Sequence, residues 1–298
     1  MSLAIGSLAI GIITKDREAD LARVLQSLRQ LTLPYQLIIV NNGSRCVRSA
    51  VAAAQGPACT LLYHYSRRDL GISLGRHTVL SLSDARYFLL LDDDTVVGNI
   101  QQLVERTLAY LEQNDRCGAV AYQLLEPASQ RPRTSELPTQ QRDFETSAAQ
   151  DVCTFVGACH ALRRDAVFDV GGYAQDFVGW GYEDKDLARR LIHAGWSIRY
   201  LPEPVYHLKS ATSRACSRHA VLSHYRNSSL FITRHLRLRD ILLGVFLRGL
   251  LLSRHVGRFP LYSLLGIWSE CLSSFRLSRQ PFHSSYFATI RQRGERVW

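Results

Sequence analysis

Three adjacent carboxylates, Asp92-Asp93-Asp94, follow directly on the apolar and aromatic run at 87–91 (YFLLL). Burying three carboxylates side by side is costly unless something cationic meets them. A divalent metal is the usual solution. Hard oxygen ligands suit Mg2+ or Mn2+, often shared with substrate phosphates. Successive side chains of an extended segment point to opposite faces. Asp92 and Asp94 can then face one site, with Asp93 turned aside. A solvated acidic turn, or a helix N-cap at Asp94, is the other use of the same residues.

A second group lies in Gly179-Trp180-Gly181-Tyr182-Glu183-Asp184-Lys185-Asp186. Glycines permit positive φ and close backbone approach. Glu183 and Asp184 stand at the start of an expected helix over 184–194, where the dipole favours anions. A carboxylate held there can serve as a general base. N-capping is the alternative, and adjacent residues can divide the two roles. Trp180 offers a flat face to a sugar ring, or plugs the core. His207 follows an expected strand around Ile198–Leu201. It gains a role only as a further metal ligand, since neutral imidazole is a common one. Alone it reads as a structural or solvated histidine.

The elements that must position these groups are legible in outline. Residues 7–13 (SLAIGII), 37–40 (LIIV), 60–65 (TLLYHY) and 87–91 read as strands. Apolar residues at 21, 24, 25, 28 and 31 have helical spacing. Residues 45–55, 72–82 and 100–113 fit further helices. Strand and helix alternate, which predicts an α/β fold with a mostly parallel sheet. Ligands of such sheets bind beyond the carboxyl ends of the strands. Those ends carry Thr14-Lys15-Asp16-Arg17, Asn41-Asn42-Gly43-Ser44 and Asp92-Asp93-Asp94-Thr95, so three polar clusters converge on one edge. Residues 126–150 are polar, contain three prolines, and read as a flexible insert, either a lid or an exposed loop.

Composition bounds the function. The 298 residues are 46% hydrophobic and 21% charged, which excludes a disordered tail protein. Seven cysteines, odd in number and without a CxxC pair, read as reduced thiols of a cytoplasmic protein. No uncharged apolar run reaches the roughly 18 residues a membrane span needs. Residues 1–14 lack the charged start and cleavage site of a signal peptide. The net charge of +10 is uneven: residues 188–298 hold 18 basic and 4 acidic side chains, and residues 1–187 hold 18 and 22. A basic last third calls for an anionic partner. The acidic front, and the lack of a zinc or RNA-binding motif, argue against nucleic acid. Ile241–Leu252 is apolar apart from Arg248 and two glycines, which fits an amphipathic helix. Such a helix packs over the catalytic domain, forms a homodimer face, or lies on an anionic membrane surface.

Together these pieces resemble the inverting nucleotide-sugar glycosyltransferases of family two, which have the GT-A fold. The resemblance covers residues 8–210, leaving 211–298 as a basic helical C-terminal region. Thr14-Lys15-Asp16-Arg17 is similar to the family's first-strand signature. Leu70-Gly71-Ile72 and Gly75-Arg76-His77 resemble its nucleotide-side helix. Asp92-Asp93-Asp94 stands as its DxD motif. Val156-Gly157-Ala158 to Arg164 and Val170-Gly171-Gly172-Tyr173 resemble the acceptor-side segment, and Gly181-Tyr182-Glu183-Asp184 its ED motif. The stretch from Gly179 also resembles the GWGGED of animal galactosyltransferases. The resemblance implies a nucleotide-sugar half over 1–115 and an acceptor half over 150–210. It implies Asp92, Asp94 and His207 as ligands of Mn2+ or Mg2+, Asp184 as general base, and Glu183 as orienting group. Thr14, Arg17, Asn42, Gly71, Arg76, Asp92 and Asp93 would line the nucleotide-sugar site; Trp180 and Gly181 would meet the acceptor. Asn42 departs from the family, which often has aspartate there, and leaves the nucleotide (UDP, GDP or dTDP) open. The acceptor is equally open: a glycan, a lipid-linked glycan or a small molecule, on an enzyme that is cytoplasmic or peripheral at the inner membrane face. Two rival functions share the scaffold. A nucleotidyltransferase would carry a glycine-rich phosphate loop after the first strand, where Thr14–Arg17 has no glycine. An inactive nucleotide-sugar-binding protein has no need of intact Asp92, Asp94 and Asp184.

Overall fold

The structure is a computed structural model that describes residues 7–52, 56, 58–141, 143–209, 218–255 and 261–297. The first half alternates strand and helix: β1 (Leu8–Thr14), α1 (Glu18–Leu28), β2 (Tyr35–Asn41), α2 (Arg48–Ala52), β3 (Cys59–Tyr65), α3 (Gly71–Ser81), β4 (Tyr87–Asp92), β5 (Thr95–Val97) and α4 (Ile100–Gln113). The second half contains β6 (Cys117–Leu125), β7 (Gln150–Val152), β8 (Cys159–Arg163), α5 (Arg164–Asp169), α6 (Glu183–His193) and β9 (Ser197–His207). Among the described residues five helices follow: α7 (Arg218–His235), α8 (Leu238–Ile241), α9 (Arg248–His255), α10 (Leu261–Leu277) and α11 (Ser284–Gln292). A π-helical segment, Leu242–Leu247, joins α8 to α9.

The strands form one sheet in the order β3-β2-β1-β4-β8-β6-β9-β5, with β7 against β9. This is the GT-A arrangement of a central sheet flanked by helices. The sheet is parallel across β3, β2, β1 and β4. Beyond β4 it is mixed, because β8 runs antiparallel to both β4 and β6. The parallel register aligns Thr14 with Asn41, and Ile13 with Asp92. The three polar strand ends therefore do meet on one edge.

Alternation along each strand feeds two cores. Ile10, Ile12, Leu37 and Ile39 face α1 and α4, where Leu21, Val24, Leu25, Leu103 and Leu108 are buried. Ala9, Ile38, Val40 and Leu90 face the other way, toward α3 and α6. On that face α3 lies unusually close to β1. A Cβ on Gly11 would collide with Val79 and would stand 2.7 Å from Leu90 Cδ2. The helical C-terminal region continues the same core. Tyr225 and Phe231 of α7 and Tyr286 and Ile290 of α11 pack with Leu187 and Leu191 of α6. Among the described residues no helix is long and apolar enough to cross a membrane, and six cysteines stand free of disulfides.

The stretch 126–150, expected as a flexible insert, is pinned at several points. Leu125 bridges Pro132, Thr134–Glu136 form a 3-10 turn, and Gln123 donates to the Thr146 carbonyl at 3.1 Å. Thr139 also bonds Glu295 beyond α11. Polarity in the sequence reflects side chains spent on such bonds, not a free loop.

The close approach of α3 to β1 gives a direct expectation. Gly11→Ala should destabilise the fold by about 1–3 kcal/mol through overpacking, read as a lower midpoint in denaturant unfolding. An unchanged midpoint would mean that α3 is not seated on β1 in this way.

Candidate active site

Asp92 ends β4 and Thr95 opens β5, so the acidic run turns the corner of the sheet edge. Asp93 and Asp94 form the turn between the two strands, and Asp93 is fully engaged by its neighbours after β1. Its Oδ2 accepts from the Thr14 hydroxyl at 2.8 Å and its Oδ1 from Arg17 Nη1 at 3.0 Å. Arg17 also reaches Asp94 Oδ2 at 3.4 Å. Burial pushes the Asp93 carboxyl up to about 6, against the pull of Arg17 and Thr14. Thr14 and Asp93 are buried and bonded to each other: a buried carboxylate must find donors, and these are its donors.

Arg76 is 3% exposed. Its Nη2 donates to Asp92 Oδ1 at 2.7 Å and to the Gly157 carbonyl at 2.8 Å. Its Nη1 donates to Glu183 Oε1 at 2.8 Å. Burial works against the guanidinium charge, but Asp92 and Glu183 outweigh it and hold the group charged. One side chain thus ties the end of β4 to the start of α6.

That tie separates the roles of the two carboxylates at α6. Glu183 is buried and turned to Arg76. Asp184 is only partly buried, at the open side of the helix start. Its Oδ2 accepts from the Gly157 N–H at 3.0 Å and its Oδ1 from the Lys185 N–H at 2.7 Å. Burial raises the Asp184 carboxyl above its ordinary value, with Arg76 and both N–H groups opposing. Glu183 is raised too, by burial and then by its neighbour Asp184.

His207 arrives from β9, whose last residue pairs with Thr95 of β5. Its Nε2 lies 3.3 Å from Asp94 Oδ1. Its Nδ1 lies 2.6 Å from Glu136 Oε1, in the 3-10 turn of the segment 126–150. Burial disfavours the imidazolium, but Asp94 and Glu136 prevail and raise the ring to about 9. One ligand atom from each of Asp92, Asp94 and His207 can be chosen so that all lie within 4.8 Å of one another. Two carboxylate oxygens and an imidazole nitrogen fit Mn2+ or Mg2+. Glu136 fits the carboxylate that orients a metal-binding histidine through its second nitrogen. Nothing in the sequence marked Glu136, which lies 71 residues from His207 along the chain.

Asn42 and Gly71, both expected at the nucleotide, meet beyond the end of β2. Asn42 Nδ2 donates to the Gly71 carbonyl at 3.1 Å. Its Oδ1 is buried without a hydrogen-bond partner among the described residues. The loop before α6, where the acceptor is expected, is tightly wound. Gly179 and Gly181 have φ of +66° and +94°, and Tyr182 has φ of +77°. A Cβ on Gly181 would stand 2.8 Å from His224 Cδ2 of α7. Asn227 of α7 donates to the Val178 and Gly181 carbonyls at 3.1 and 2.9 Å. Trp180 stays 39% exposed beside the ring of His224. Sequence reasoning missed α7 as the support of this loop.

A family model described as Glycosyl transferase family 2 matches residues 9–171. The chain belongs to that family. A second model, the N-terminal domain of galactosyltransferase, matches residues 145–212, which contain the ED motif. Among curated relatives, an N-acetylglucosaminyl-diphospho-decaprenol L-rhamnosyltransferase of Mycobacterium tuberculosis is 34% identical over 78 residues, 26% of this chain and 25% of that protein. An uncharacterized protein of Haemophilus influenzae is 24% identical over 109 residues, 37% of this chain and 59% of its own length. The chain thus spans less than two thirds of either relative. A mannosyltransferase of Pyrobaculum calidifontis, solved with GDP-Man and Mn2+, superposes with a TM-score of 0.60 at 14% identity, covering 98% of this chain and 85% of that one. GalNAc-T7, solved with UDP, GalNAc and Mn2+, gives 0.57 at 13% identity over 76% of this chain and 48% of that one. At such identities the likeness shows the fold alone.

Removing the buried guanidinium has a calculable cost. Arg76→Met leaves Glu183 buried and uncompensated, which should cost about 3–5 kcal/mol of stability. The double variant Arg76→Met, Glu183→Gln should recover part of that loss in urea unfolding. Equal stability of Arg76→Met and the parent would remove Arg76 as the link between β4 and α6.

Proposed function

We propose that the chain is a metal-assisted, inverting glycosyltransferase that moves a sugar from a nucleoside-diphosphate donor to an acceptor hydroxyl. The observation that carries this reading is the meeting of the Asp92, Asp94 and His207 ligand atoms within 4.8 Å. Asp184 is tied to them through Gly157, whose carbonyl accepts from the Arg76 that holds Asp92 and whose N–H donates to Asp184. A Mn2+ or Mg2+ ion held by Asp92, Asp94 and His207 would neutralise the charge that grows on the departing diphosphate.

The chain's own residues account for the remaining steps. Asn42 is placed to meet the base edge of the donor through its unpartnered Oδ1, since an amide both donates and accepts. Trp180 and Gly181 flank the acceptor. Asp184 takes the proton of the attacking hydroxyl; the Gly157 and Lys185 N–H groups hold its two oxygens in place. As the new carbon–oxygen bond forms at the anomeric carbon, the bond to the diphosphate oxygen breaks on the opposite face. A single displacement with one base gives inversion. A raised Asp184 carboxyl is a stronger base near neutral pH than an ordinary aspartate. Donors carrying UDP or GDP are favoured, because the fold neighbours were solved with them. A lipid-linked glycan is the favoured acceptor class, from the name of the mycobacterial relative. Rival functions lack support. Thr14–Arg17 offers no glycine-rich phosphate loop for nucleotidyl transfer, and an inactive scaffold would not need Asp184 kept partly open.

Two measurements test this. UDP, GDP or dTDP should raise the melting temperature in the presence of Mn2+ and not with EDTA, by binding to the native state alone. The rise should vanish in Asp94→Ala. No rise with any nucleotide and either metal would overturn the reading. Asp184→Asn should lower kcat by about 10²–10⁴-fold while keeping the Mn2+-dependent nucleotide shift. In the parent, kcat/KM should fall as pH drops through the raised Asp184 value, above the usual carboxylate range. Unaltered turnover in Asp184→Asn would remove it as the base.

A further inference from the structure

The helices after α7 carry more exposed apolar surface than their packing uses. Ile241, Gly244 and Val245 of the α8–α9 run are buried on the core side. Leu238, Leu242, Leu243 and Leu247 point outward, between 47% and 63% exposed. Their spacing of four, one and four residues keeps them on one face of the run. In α10, Leu264, Ile267 and Cys271 are buried, while Leu265 and Leu272 are 54% and 55% exposed. The two runs touch: the rings of Phe246 and Trp268 lie 5.2 Å apart. Soluble proteins rarely leave so many large apolar side chains exposed without a use.

Charge says what fits this face. Residues 211–298 contain fourteen arginines and three acidic residues. Each of the three acids is engaged: Asp240 accepts from the backbone at Arg237, Glu270 pairs with Arg226, and Glu295 pairs with Arg189. Arg239 and Arg276 stand exposed on the same helices as the outward leucines. A leucine face rimmed by arginine, without free carboxylates, complements an anionic lipid surface. The same charge opposes a second copy of the chain, whose matching face would bring arginine to arginine.

We infer that α8, the π-helical segment and α10 form a peripheral docking face for an anionic bilayer. The face is mechanically continuous with the acceptor loop through one helix. On α7, Asn227 holds the Gly181 carbonyl at 2.9 Å. Two residues earlier, Tyr225 donates to the Val245 carbonyl at 2.6 Å and accepts from Trp268 Nε1 at 2.9 Å. Docking therefore holds the loop that carries Trp180 and leads into Asp184 in a fixed relation to the lipid surface. This deepens the transferase reading by favouring an acceptor presented at a membrane, but binding to lipid is measured without donor or acceptor.

The test is co-sedimentation of the full chain with vesicles of phosphatidylcholine alone and of phosphatidylcholine with phosphatidylglycerol in equal parts. Binding is expected only to the anionic vesicles, and should weaken as salt rises. The double variant Leu243→Glu, Leu247→Glu alters exposed positions only, so it should keep the parent melting temperature and nucleotide shift while binding vesicles at least tenfold less. Absence of parent binding to anionic vesicles would overturn the inference, as would equal binding by the parent and the folded variant. Light scattering that finds a parent dimer, dissolved by the same variant with no vesicle binding, would assign the face to self-association instead. If the variant unfolds, Leu242→Ser with Leu272→Ser carries the same comparison. Loss of the nucleotide shift in the parent would count against the transferase reading and leave the lipid result standing.

Discussion

The site rests on the compensation of buried negative charge. Asp92, Asp93, Asp94, Glu183 and Asp184 crowd one sheet edge, and their mutual repulsion would open the fold without cations among them. Arg76 and Arg17 supply that charge from opposite sides. Arg17 enters from the turn after β1 and serves Asp93 and Asp94. Arg76 enters from α3 and serves Asp92 and Glu183. A buried pair of this kind is weak evidence for net stability, since desolvation consumes much of the attraction. Its contribution is geometric. Arg76 fixes which carboxylate is engaged and leaves Asp184 as the one at the open side.

The packing that delivers Arg76 is itself demanding. It needs α3 close to β1, and Gly11 and Gly75 permit that approach. A Cβ on Gly75 would stand 3.1 Å from Ile13 and 3.3 Å from Asn42 Nδ2. The same helix thereby seats Asn42 through the Gly71 carbonyl. On the far side, Glu136 and α7 do comparable work. Glu136 orients His207, and Asn227 holds the wound loop that presents Asp184. Strained backbone at Tyr182 is sustained by this surrounding contact, as is common at functional sites.

Much of this was legible in the sequence. Apolar runs located β1, β2, β3 and β4, helical spacing located α1, and the helices expected over 72–82, 100–113 and 184–194 fall on α3, α4 and α6 to within a residue. Alternation does not say what Asp93 meets, and its bond to Thr14 cannot be read from spacing. The same holds for Arg76: sequence gives a charge but not the partner that burial demands. β6 drew no expectation, because its start, Cys117-Gly118-Ala119, is small and weak in strand propensity. Glu136 was invisible because its partner is 71 residues distant. The amphipathic reading of Ile241–Leu252 anticipated a helical run, but not that its outward face would be leucine: Val245 is buried and Leu243 exposed.

The proposed transfer requires one edge of the sheet to hold a divalent cation between Asp92, Asp94 and His207, with Asp184 on the same site. Anomalous X-ray diffraction from crystals grown with Mn2+ and a nucleoside diphosphate reads this out. One strong manganese peak is expected within bonding distance of those three side chains, with the diphosphate beside it and Asp184 facing the same space. A manganese peak elsewhere, or a diphosphate bound with no metal among those residues, would contradict it.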